Sequence, residues 1–162
     1  MSSGDPIRIG VVGGGAMAQL VHLPLLFDRS DVEIHAFADP DGVKLRALGE
    51  RFSIPNLVDD DALFGDPSID AVLIHTPNHL HAELTRRALE AGKHVLTESP
   101  LAMSSADARA LLDLADERDL NLGVGYGHRF RPDVSAIRAF VHEGRAGDIY
   151  AARVAWMNRS TL

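Results

Sequence analysis

Short apolar runs rich in β-branched residues alternate with stretches of helical spacing along most of this chain, and few folds accept that order. The β-rich runs are Ile7–Val12 (IRIGVV), Val32–Ala38 (VEIHAFA), 71–75 (AVLIH), 95–97 and 122–124. Between the first two, residues 16–27 read as a helix broken by Pro24. Residues 41–52 carry helical spacing at Val43, Leu45, Leu48 and Phe52, and residues 59–64 allow one short helical turn. Residues 78–91 set His81, Leu84, Ala88 and Ala91 on one helical face, and 104–118 read as a further helix. Strands alternating with helices of this length imply βαβ units around a parallel sheet. The expectation is an α/β, doubly wound parallel sheet over residues 5–125.

The tail, residues 126–162, changes character. A helix is expected at 131–142, a turn at 143–148 (EGRAGD) and a strand at 149–157 (IYAARVAWM). A lone strand needs a neighbour, and an unpaired edge invites association. The strand is therefore expected to pair with another copy, giving a homo-oligomer.

Composition narrows the function. With 162 residues, the chain can bury a proper core as one domain. The absence of Cys excludes disulfides, thiolate zinc sites and a cysteine nucleophile. A net charge of −7 argues against a nucleic-acid partner, which calls for a basic patch. No apolar run approaches the roughly 20 residues of a membrane span. The start, MSSGDPIRIG, lacks a basic flank and an apolar core, so no signal peptide is read there and a cytoplasmic location is expected.

The first strand runs into Gly13-Gly14-Gly15-Ala16-Met17-Ala18, a G-x-G-x-x-A pattern at the start of a helix. Gly13 permits a tight turn, Gly15 lets the backbone approach a pyrophosphate, and Ala18 allows close helix–sheet packing. The helix start, with Ala16 and Met17, supplies free N–H groups and partial positive charge for the anion. This is the pattern of a Rossmann-type dinucleotide site. Asp39 ends the second strand, where a carboxylate accepts hydrogen bonds from adenosine ribose hydroxyls. It also repels a 2′-phosphate, and no Arg follows at 40–42, which favours NAD over NADP. Asp39 also reads, as the lesser alternative, as a helix N-cap before Pro40, and both roles can coexist.

Two further segments lie at strand ends. One is Thr76-Pro77-Asn78-His79-Leu80-His81, with Asn78 also readable as an N-cap. His75, His79 and His81 raise the question of a metal, but two helical residues two apart point about 200° from each other. No metal is expected there; His81 is expected inward and His79 solvated. The other is 91–100, AGKHVLTESP, a helix end, a buried strand and then Glu98-Ser99-Pro100.

Together these segments resemble the glucose–fructose oxidoreductase / inositol dehydrogenase family of NAD(P)-dependent enzymes. The resemblance runs from about Ile7 to Met157 and implies several roles. Thr76, Pro77 and Asn78 would line the dinucleotide groove with His81 closing their segment, and Glu98 would sit beside the nicotinamide ribose. Pro100 is expected after a cis peptide bond. The family's strand end reads Glu-Lys-Pro, with its lysine taking part in proton transfer; here Ser99 holds that place and is the one candidate catalytic residue. Residues 125–132 (GYGHRFRP) resemble the family's passage past the nicotinamide, which makes Arg129 a cofactor-binding candidate. Tyr126 and His128 could face the cleft there, with His128 a conceivable proton donor. His22 matches a family histidine and is expected to be structural. The family's second domain, an antiparallel sheet carrying substrate, is expected to be absent or truncated. The implied activity is hydride transfer with a sugar-like or cyclitol alcohol. A non-catalytic NAD-binding or oligomerisation module is the alternative, favoured by Ser99 and the missing domain.

Overall fold

The computed structural model describes residues 5–155 and divides into two compact units, one running to Gly125 and one starting at Tyr126. In the first unit, six parallel strands stand in the order β3-β2-β1-β4-β5-β6. They are β1 Ile7–Val12, β2 Val32–Ala38, β3 Asn56–Leu57, β4 Ala71–Ile74, β5 His94–Glu98 and β6 Leu122–Gly125. The order reverses between β1 and β4, and ligands of such sheets settle at that reversal, outside the strands' carboxyl ends. The doubly wound fold is thus the observed one. Only β3 escaped the sequence reading, because its two residues are too short to show a period.

Both faces of the sheet are covered, which is why the strands read as nearly continuous apolar runs. Ile9, Val11, Phe37 and Leu73 turn to one face and pack with Leu23, Leu48 and Phe52. Val12, Val72, Ile74 and Val95 turn to the other and pack with Leu63, Leu84, Leu89 and Leu111. The covering helices are α1 Leu23–Phe27 and α2 Gly42–Arg51 on the first face. On the second lie α3 Asp60–Gly65, α4 His81–Glu90 and α5 Ser105–Glu117. Three of these starts are closed by side chains. Asp41 accepts from the Val43 and Lys44 N–H groups, Asp59 from Ala62, and Ser104 from Asp107. Each cap contributes about 1 kcal/mol.

Four local expectations are corrected. The helix over 16–27 is not broken at Pro24: it widens into a π turn at Ala18–His22, where the Leu23 N–H reaches back to the Ala18 carbonyl. Pro24 then follows as the second residue of α1, inside the same helical run. The N-cap of α2 is Asp41, two residues after Asp39. Asn78 is no N-cap either; it opens a single 3₁₀ turn, Asn78–Leu80, ahead of α4 and makes no capping bond.

The second unit holds a 3₁₀ turn at Gly127–Phe130 and α6 Pro132–His142. The fourth correction lies beyond α6. Described residues 149–155 form no strand, and Tyr150 is 98% exposed. A strand exists through its ladder, and none forms there among the described residues. Trp156 and Met157, the rest of the expected strand, lie outside the described residues.

Candidate functional site

The glycine turn is shaped by contact with β4. Gly13 has φ +93°, a conformation that side chains rarely adopt, and a Cβ there would stand 2.7 Å from the His75 carbonyl oxygen. A Cβ on Gly15 would stand 3.2 Å from the same oxygen. The turn is held by three bonds. Gly13 N–H donates to the Ala38 carbonyl (2.8 Å), Gly14 N–H to Asp39 Oδ2 (2.7 Å), and Gln19 Nε2 to the Gly14 carbonyl (2.7 Å). Gly15, Ala16 and Met17 are exposed at the start of the helical run over 16–27. Its first N–H groups have no intrahelical partner and face outward for an anion.

Asp39 does more than end β2. Its side chain is only 4% exposed, and besides Gly14 it accepts from the Asp41 N–H (2.9 Å) and from Lys44 Nζ (3.3 Å). Lys44 lies beyond the stretch where a cation was sought in the sequence, and one turn of α2 brings it back. Lys44 Nζ also reaches Asp39 Oδ2 at 3.4 Å, so the carboxylate's roughly four acceptor positions are taken, and a ligand hydroxyl would have to replace the partly exposed Lys44 ammonium.

Two hollows flank the turn. One, of about 410 Å³, is walled by Gly13, Ala38, Asp39, Pro40, Asp59, Asp60, Thr76, Leu80, Glu83 and Arg87 among others. Arg87 is tied to Asp60 at 2.7 Å and Asp61 at 2.6 Å and lies over the Phe64 ring. The other, of about 340 Å³, is walled by Gly15, Ala16, Met17, His75, Thr76, Pro77, Asn78, His81, Glu98 and Ser99. Thr76 belongs to both, and its hydroxyl is buried without a partner. Ten of the eleven residues expected to bind cofactor thus gather along one groove. Arg129 belongs to the second unit.

The second hollow ends in a cluster that sequence reading missed. Glu98 Oε1 lies 2.8 Å from His22 Nε2 and 3.7 Å from His75 Nδ1, and the His22 and His75 ring centroids are 4.4 Å apart. Gly125 makes room, since a Cβ there would meet Glu98 Oε2 at 3.0 Å. His75 is deeply buried, and neither ring nitrogen has a hydrogen-bond partner. Burial first, and then the imidazoles of His22 and His81, push its pKa down to about 3. His75 is therefore neutral near pH 7, and its 3.7 Å approach to Glu98 is not an ion pair. His81 is fully buried as expected; Nδ1 faces the Pro100 carbonyl at 2.7 Å and Nε2 the Thr76 carbonyl at 2.8 Å. Its ring thereby ties two loops of the groove together. The Ser99–Pro100 peptide bond is cis.

Residues 7–126 match the Gfo/Idh/MocA family, described as an oxidoreductase family with an NAD-binding Rossmann fold. The chain belongs to this family. Among curated Gfo/Idh/MocA relatives, it is 33% identical to the D-glucoside 3-dehydrogenase of Escherichia coli over 156 residues, 96% of this chain and 44% of that protein. It is 41% identical to the dTDP-3,4-didehydro-2,6-dideoxy-alpha-D-glucose 3-reductase of Streptomyces violaceoruber, over 90% of this chain and 42% of that protein. A solved 3-ketoreductase from Actinomadura kijaniata, in complex with NADP and TDP-benzene, superposes with a TM-score of 0.80 at 34% identity. That superposition covers 86% of this chain and 43% of the ketoreductase. The chain thus spans less than half the length of these family members.

Proposed function

We propose that this chain is the cofactor-holding portion of an NAD(P)-dependent oxidoreductase acting on a sugar-like or cyclitol alcohol. The observation that carries this reading is the continuous groove across the sheet's reversal point. It runs from Asp39 past Gly13 and Thr76 to Glu98, and a Cβ at Gly13 would clash with the His75 carbonyl while one at Gly15 would press on it. Its width fits a dinucleotide: two hollows, one on each side of an anion-binding turn, match two nucleoside ends joined by a pyrophosphate. When bound, the nicotinamide supplies hydride exchange with a carbinol carbon. The residues of the chain bind and orient. Asp39 takes the adenosine ribose, the helix start takes the pyrophosphate, and Thr76 to Asn78 with Glu98 border the nicotinamide end.

NAD is the preferred form in this reading. The ribose-side hollow is lined by Asp39, Asp59, Asp60 and Glu83, and the cations beside it are engaged, Arg87 by Asp60 and Asp61 and Lys44 by Asp39. A 2′-phosphate would add about two negative charges to that wall. Calorimetric titration of NAD and NADP into the chain tests the proposal, with NAD expected to bind more tightly. Failure of both to bind would overturn it. Ser99 favours a second reading, a binding module without catalysis, because an uncharged hydroxyl is no general acid without an activating partner.

A further inference from the structure

Among the described residues, His22, His75 and Glu98 form the one group of three potential ligands whose donor atoms all lie within 4.8 Å of one another. We propose that these three side chains form a binding site for a divalent transition ion of the zinc type at the inner end of the groove. Donors about 2.0–2.2 Å from a tetrahedral ion stand about 3.4 Å apart. The 2.8 and 3.7 Å separations of Glu98 Oε1 from His22 Nε2 and His75 Nδ1 bracket that value. Two imidazoles and a carboxylate are also the donor set that such ions take in sites keeping an open position.

A second, independent observation is the state of His75. Its side chain is 1% exposed, and both ring nitrogens lack any partner. Buried polar groups are nearly always bonded, so an orphaned imidazole turned toward a carboxylate and a second imidazole calls for a ligand. The supporting frame is rigid. His75 follows β4, Glu98 ends β5, and the π turn carries His22 to Glu98. Because Glu98 and His75 both line the hollow beside Ser99, the ion's remaining position opens onto the groove. The ion brings to this end a positive charge that Ser99 does not carry, and an oxygen ligand, water or an alcohol, would fill the open position.

The inference goes beyond dinucleotide binding and is tested without it. Chelator-treated chain is titrated with Co²⁺ alone, reading visible d–d absorption, and with Zn²⁺ by calorimetry. One equivalent is expected to bind, with the intense d–d bands of a low-coordinate site. His75→Ala and Glu98→Gln are each expected to weaken binding by at least about 10-fold, since loss of an outer partner alone costs that much. His79→Ala, a change on the exposed face, is expected to bind as wild type. Should His75→Ala fail to fold, Glu98→Gln, which keeps size and shape, decides alone. Absence of d–d bands at a stoichiometric ion, or equal affinity in wild type and Glu98→Gln, would overturn the site. Loss of NAD binding with the metal spectrum intact would count only against the dinucleotide reading.

Discussion

His75 makes the acid stability of this chain calculable. Its ordinary pKa of 6.5 is depressed to about 3 in the folded state, chiefly by burial. The sign follows from which state takes the proton. Above pH 6.5 both folded and unfolded chains keep the ring neutral, and the native state suffers no penalty. As pH falls below 6.5 the unfolded chain binds a proton that the folded chain refuses until about pH 3, so stability is lost across that window. Each pH unit is worth about 1.4 kcal/mol, giving a loss of about 2 kcal/mol at pH 5 and about 5 kcal/mol at pH 3. The depressed carboxylates, Asp41 held down by backbone N–H groups and Asp66 by Ser68, contribute only below their ordinary value of 3.8. They are therefore silent between pH 7.5 and 5. The assay is urea unfolding of wild type and His75→Gln at pH 7.5 and 5. Wild type should lose about 2 kcal/mol more than the variant over that interval. An equal loss in both proteins, or an NMR titration of the His75 ring near pH 6.5, would refute the reasoning.

Three other outcomes are expected. Gly13→Ala should destabilise the fold by about 2–5 kcal/mol, combining a disfavoured backbone conformation with a clash against a backbone oxygen. A loss below about 1 kcal/mol in urea unfolding would mean that the turn does not press on β4 as described. Asp39→Ala should weaken NAD binding about 10- to 100-fold in calorimetry, the worth of one hydrogen bond to a charged group; equal affinity would remove Asp39 from the ribose role. In a chain carrying the full family length, Ser99→Lys should raise turnover by about 10²–10⁴ if a positioned acid/base is all that is missing. No gain would favour the non-catalytic reading.

What was legible in the sequence was whatever depends on near neighbours. The apolar runs, each buried on both sides, declared the parallel sheet, and the glycines declared the turn after β1. Asp39 shows the limit: it was read as a possible cap of α2, but Asp41, two residues on, caps the helix while Asp39 holds Gly14. Segment 149–155 shows another. β-propensity lies in the residues, but a strand lies in the pairing, and propensity alone could not supply the partner.

The inner cluster was illegible for a different reason. His22 and Glu98 are separated by 76 positions, and His22 reaches Glu98 from the last residue of the π turn. An added residue in one turn rotates everything after it by about 100°, so a regular helix would have aimed His22 elsewhere. The signal was present in weak form. Pro24 cannot donate to the carbonyl four residues back, which is the local conflict that a wider turn relieves. His22 was expected to be structural beside its match to a family histidine, and His75 was weighed only against its sequence neighbours His79 and His81. A metal was set aside on the helical spacing of those neighbours alone. It did not reach His22 and Glu98, whose approach to His75 is a property of the folded groove alone.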